Sequence, residues 1–130
     1  MEKFRDILNI ARDNVRENPS VVDVPTKEIC EQYLSGLVDE VNEVRAEVKE
    51  NNEIYLMDEL SDIAWDFAVV LALAEYRGLI SNAEQVIEHG FVKYNERAPA
   101  FLEADEEMWD NIKAKQKEEL KKRHLEIYGN

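Results

Sequence analysis

Two pairs of acids stand out in this chain. Glu40 and Glu43 lie three residues apart in one helical pattern, and Glu59 and Asp62 lie three apart in the next. Both pairs fall within residues 37–73, LVDEVNEVRAEVKENNEIYLMDELSDIAWDFAVVLAL, where two helical patterns meet at Asn51-Asn52. Residues three apart share a helix face. Helices joined by a short turn pack as antiparallel neighbours, so the four carboxylates can converge at one level. Carboxylates placed together repel unless a cation offsets them. An all-oxygen set selects magnesium, manganese or calcium over zinc or copper. Four negative charges can neutralise two divalent ions, and one ion is the minimum.

The spacing alone is cheap. The chain holds 29 acids, and Glu28/Glu31, Glu47/Glu50 and Glu103/Glu106 repeat it. Any one such pair reads first as a solvated helix face. Context separates Glu40/Glu43 and Glu59/Asp62 from the others, because both flank strong apolar stripes on consecutive helices. Asp66, one turn beyond Asp62, shares the face of Glu59 and Asp62.

Other chemistries lack their residues. His89 and His124 lie on different helical patterns and neither completes the Glu-x-x-His spacing of a diiron bundle. Cys30 is a lone cysteine on an apolar stripe. There is no glycine-rich phosphate cradle. If phosphates bind, metal and basic side chains must hold them. Lys93 and Arg97, four apart and therefore on one face, are the best candidates. The competing reading is that they pair with Glu88, Glu96 or Glu103.

The elements that must position these groups are helical. Glycine and proline are scarce, at 4 and 3, while Glu, Lys, Leu, Ala and Val dominate. Residues 2–17 carry helical spacing and stop at Asn18-Pro19-Ser20, and an extended or looped segment to Pro25 lays Val21, Val22 and Val24 on the core. Thr26 caps a second helix running to Asn51-Asn52, with Leu37, Val41, Val44 and Val48 on one narrow arc and Glu40, Glu43 and Glu47 on its flank. The third helix runs from Glu53 to about Arg77, with Gly78 at C′. Between residues 63 and 74 it is apolar almost all round, broken only by Asp66, which suits a central core helix or a subunit interface. Ser81 to Glu84 reads as a capping box opening a fourth helix to about Arg97, after which Pro99 forces a break and a short loop. Asp105-Glu106-Glu107 opens the last helix, with a stripe of Trp109, Ile112, Gln116, Leu120 and Ile127. The expected fold is an all-α helical bundle of about five helices, a single domain over residues 1–130, completed by dimerisation.

The net charge of −13 would repel a nucleic acid polymer, but not a small nucleotide carried as a metal complex. One cysteine permits no intrachain disulfide, which fits a reducing cytoplasm. The first residues are charged throughout, and the longest apolar run, residues 67–74, is far too short to span a bilayer. The expectation is a cytoplasmic protein with no membrane partner.

LVDEVNEV followed by DELSDIAWD resembles the paired acidic motif of the MazG-type all-α nucleoside triphosphate pyrophosphohydrolases, Glu-Glu-x-x-Glu then Glu-x-x-Asp. GFVKYNERAPAF is similar to the Lys-and-Arg-then-Pro segment that follows in that family, and MWDNIKAKQKEE to its tryptophan-led last helix. The likeness covers residues from about 20 to 120. It implies an enzyme dependent on Mg2+, with Mn2+ a possible substitute, that converts a (d)NTP and water to the (d)NMP and pyrophosphate. It further implies metal ligands at Glu40, Glu43, Glu59 and Asp62, and substrate contacts at Lys93, Arg97, Trp109 and Lys113. Glu43 or Glu59 would serve as the base. A homodimer or homotetramer is also implied. One departure is Asp39, where the family usually has its first Glu. Two alternatives remain: a related all-α pyrophosphatase acting on dUTP or phosphoribosyl-ATP, or a non-catalytic acidic helical interaction module.

Overall fold

A computed structural model describes residues 2–129. Among these residues the chain is all α, with six helices and no strand. They are α1 (Glu2–Glu17), α2 (Pro19–Val22), α3 (Thr26–Glu47), α4 (Glu53–Tyr76), α5 (Ala83–Leu102) and α6 (Glu106–Tyr128). Two compact units are present, Met1–Ala83 and Glu84–Asn130.

In the first unit α4 is the hub, and α1 and α3 both pack on it. The middle of α4 is nearly free of charge, so it can be covered on more than one side. Ala68, Val69, Leu71, Ala72 and Leu73 are buried there, and Leu8, Ala11 and Val15 of α1 bury against the same core. Phe4 and Phe67 meet with ring centroids 6.3 Å apart. The Arg12 guanidinium forks onto the Glu75 carboxylate at 2.9 and 2.8 Å, and the Ala83 N–H donates to the same carboxylate at 2.7 Å. At the end of α4, Gly78 stands at C′ with φ +74°, and Leu79 N–H bonds Ala74 O at 2.8 Å. This is the glycine-terminated stop expected there.

Four expectations need correction. Thr26 does not cap its helix: it is the first residue of α3, Pro25 holds the cap position with no side-chain bond, and the Thr26 hydroxyl accepts from Arg77 at 3.2 Å. The segment after Asn18 is not extended: Pro19–Val22 forms one helical turn, α2. Asn18 caps it by accepting from Ser20 N–H at 2.9 Å, and Pro19 takes the first helical position, where a missing N–H costs nothing. Within that segment Val21 is buried, whereas Val22 is exposed.

Pro99 does not break α5, which continues to Leu102. A proline one turn from a helix end sacrifices a single backbone bond, and the helix then closes properly. Asp105 N–H bonds Ala100 O at 2.9 Å, Ala104 N–H bonds Phe101 O at 3.1 Å, and Ala104 takes the left-handed position with φ +53°.

The apolar arc assigned to α3 is only half covered. Leu37 and Val44 are half-buried, Val41 and Val48 are exposed, and Ile29 is the buried residue of this helix. The less exposed stripe of α3 runs through Tyr33, Gly36, Leu37, Glu40, Val44 and Glu47. Glu40 therefore lies within the shielded stripe rather than on its flank.

In the second unit α5 and α6 form a helical pair. Asp105 caps α6 by accepting from Met108 N–H at 2.9 Å.

Candidate metal centre

The acids converge where α3 passes α4. One carboxylate oxygen from each of Glu40, Glu43, Glu59 and Asp62 lies within 4.8 Å of every other. The sequence sets this up in two steps. Three-residue spacing puts each pair on one face. The α3–α4 turn then brings the two faces together: Asn51 takes a left-handed conformation (φ 55°), which asparagine tolerates well, and Asn52 bonds back to the end of α3.

The electrostatics of this site are adverse without a cation. Glu40 is pushed up to about 7, first by the hydrogen bond it shares with Glu43, then by burial and by the charges of Glu43, Asp62 and Asp66. Glu59 is also raised, first by burial, then by Glu43 and by the charges of Asp62 and Asp58. Asp66 is raised by burial and by Asp62. Two acceptor atoms, Glu40 Oε2 and Glu59 Oε2, are buried and have no hydrogen-bond partner. A buried carboxylate oxygen without a donor is costly to desolvate. A hard divalent ion satisfies such oxygens directly, and an all-carboxylate set is the donor type it prefers. These residues therefore fit a divalent metal.

The four substrate positions named from sequence all lie in the second unit. Arg97 is buried, at 6 % exposure. Its Nε donates to Gln116 Oε1 at 2.6 Å, and its guanidinium lies 5.6 Å from the Tyr94 ring and 5.5 Å from the Trp109 ring. Gln116 is held in turn, donating to Lys93 O at 3.1 Å and to Glu96 Oε1 at 3.2 Å. Lys93, Trp109 and Lys113 are half-buried. The Lys93 ammonium lies 5.4 Å from the Tyr94 ring. Trp109 and Phe101, with ring centroids 6.3 Å apart, line a hollow of about 480 Å³ together with Asp105, Glu106 and Asp110.

Two further contributors are Gln116 and Gly36. In the sequence Gln116 reads as part of a stripe, yet it fixes Arg97. For Gly36 the available signal is a glycine inside a helical pattern, because it often marks close approach.

Among the described residues no helix is long and apolar enough to cross a membrane. Searches of curated proteins and of solved structures return no significant match. The family model of the MazG nucleotide pyrophosphohydrolase domain matches residues 29–102, a span that contains all four converging acids. That match covers more than half of the 130 residues, and the chain belongs to the MazG nucleotide pyrophosphohydrolase family, hydrolases acting on phosphoric anhydrides.

Proposed function

We propose that this protein hydrolyses a nucleoside or deoxynucleoside triphosphate between the α and β phosphates, releasing the monophosphate and pyrophosphate. Glu40, Glu43, Glu59 and Asp62 would hold Mg2+, with Mn2+ an acceptable substitute. The observation that carries this reading is the convergence of the four carboxylates around two buried oxygens that lack a donor.

The ion would supply Lewis-acid stabilisation of charge building on the phosphate oxygens. The chain's own groups do the rest. Glu43 is the most exposed of the four, and so the best placed to take a proton from an attacking water. Glu59 is the second candidate base. Its raised affinity for a proton suits that role. Lys93, Arg97, Trp109 and Lys113 are assigned to the substrate. The Nη groups of Arg97 make no hydrogen bond among the described residues, which leaves them for a phosphate. Trp109 offers a ring face on which a base can stack. The exposed apolar side chains of α3 and α4, Leu34, Val38, Ile54 and Met57 among them, suit burial between copies in a homodimer or homotetramer. The setting proposed is the cytoplasm.

The test is a product assay on purified protein with a panel of NTPs and dNTPs, including dUTP, and with phosphoribosyl-ATP, with and without Mg2+. Pyrophosphate and orthophosphate are read separately. Magnesium-dependent pyrophosphate plus monophosphate is the expected result. Orthophosphate would place the cleaved bond elsewhere, and no product from any substrate would favour a non-catalytic role.

A further inference from the structure

Asp66 is the one charged residue in the apolar run 63–74 of α4. It is half-buried, and no described donor bonds its carboxylate. An acid in such a stretch is expensive to keep and needs a reason. Its position supplies one. Asp66 lies one turn beyond Asp62 on α4, and Gly36 lies one turn before Glu40 on α3. A Cβ built on Gly36 would lie 3.8 Å from Asp66 Oδ2. The carboxylate is therefore laid against the α3 backbone, in the groove that holds the four converging acids; its charge helps to raise Glu40, and the charge of Asp62 helps to raise Asp66 itself. Asp66 is not among the residues whose oxygens converge within 4.8 Å. It thus forms the next layer of the same groove, beside the glycine that leaves α3 without a side chain at that level.

Magnesium gives up its hydration shell reluctantly and usually keeps several waters. Carboxylates just outside the ligand shell orient such waters and the ligands themselves. We infer that Asp66 is a positioning residue of this centre, accepting hydrogen bonds from water bound to the divalent ion and so fixing the ion at the Glu40/Asp62 end of the groove. This inference rests on the metal reading above.

The test is calorimetric titration of the full chain with MgCl2, together with thermal unfolding in EDTA, for the unaltered protein and for Asp66→Asn. Asparagine keeps the size and an acceptor oxygen but removes the charge. Mg2+ affinity should fall by about tenfold, and the metal-free Tm should stay level or rise, because a repelling charge has gone. Asp66→Glu should restore most of the affinity. Unchanged affinity in Asp66→Asn would overturn the inference, as would a lowered metal-free Tm with affinity intact, which is the mark of a merely structural acid. If Asp66→Asn fails to fold, Asp66→Ser carries the same test. Failure of the unaltered protein to bind any divalent ion would remove the metal reading itself. Binding by the unaltered protein with equal binding by the variant removes only the role of Asp66.

Discussion

The side-chain amide of Asn52 reaches back across the α3–α4 turn and donates to both the main-chain carbonyl of Glu47, at 2.9 Å, and its carboxylate, at 2.6 Å. One residue thereby satisfies an open carbonyl at the end of α3 and ties it to the start of α4. Asn52→Ala should lower stability by about 1 kcal/mol, seen as a Tm lower by a few degrees, roughly 4 °C in a chain of this size. Because the turn sets the level at which the acids meet, Mg2+ affinity should fall too. Titration of the variant at a temperature where it remains folded checks this.

Glu59→Gln should separate activity from folding. On the proposed metal reading it removes a ligand, so turnover should drop by about a hundredfold or more, beyond the usual effect of losing a supporting residue. It also removes one charge from a crowded site, so the metal-free protein should melt at a higher temperature than the unaltered one. Full activity would take Glu59 out of the site.

The pH dependence follows from the raised carboxyls. An unfolded Glu40 releases its proton near 4.5, while the folded one holds it to about 7. Over that interval the native state binds more protons than the unfolded chain, so stability contributed by Glu40 is present below about 4.5 and is lost as pH rises through about 7. Glu59 and Asp66 shift in the same direction. In EDTA, Tm should therefore fall between pH 5 and pH 8 as these groups ionise. The Tm increase produced by Mg2+ should grow over the same range, because protons and metal compete for the same oxygens. Unfolding scans at several pH values, with EDTA or Mg2+, measure both.

Ala104 holds a left-handed conformation at the end of α5, where a Cβ is unfavourable. Ala104→Gly should stabilise the protein by about 0.5–1 kcal/mol. The substitution touches none of the four acids. Denaturant unfolding at neutral pH reads the gain as a higher midpoint with an unchanged slope.

Arg97 lies near two aromatic rings and is bonded to Gln116. Arg97→Ala should cost about 2 kcal/mol, through lost packing and a stranded Gln116 oxygen. Arg97→Lys keeps the charge but not the planar fork, and should recover only part of this. In a Trp65→Phe background, Trp109 emission should shift in both variants.

How far the sequence carried differs from residue to residue. The four acids were legible because each pair is local and the turn between the pairs is short. Gly78 was legible because glycine after an apolar helical run has few other uses. Pro99 misled, since proline forbids a helix interior but not a last turn, and only the position of the helix end distinguishes these. The valines of α3 outweigh Glu40 in hydrophobicity and put it on a flank, yet the stripe facing the neighbouring helix takes in Glu40 along with Leu37 and Val44. In the sequence Arg97 reads as one of a matched basic pair with Lys93. Its burial depends on Trp109 and Gln116, which lie 12 and 19 positions further along, and no local pattern announces such a contact.

The hairpin of α3 and α4 also bears on when the centre forms during synthesis. All four converging acids fall between residues 40 and 62, in two adjacent helices joined by a turn of a few residues. Structures built from contacts near in sequence form early and fast, and chains fold as they emerge, from the N-terminal side. The four acids proposed to hold the ion can thus be gathered while α5 and α6 are still being made, so their convergence becomes an early event in the life of the chain rather than its last.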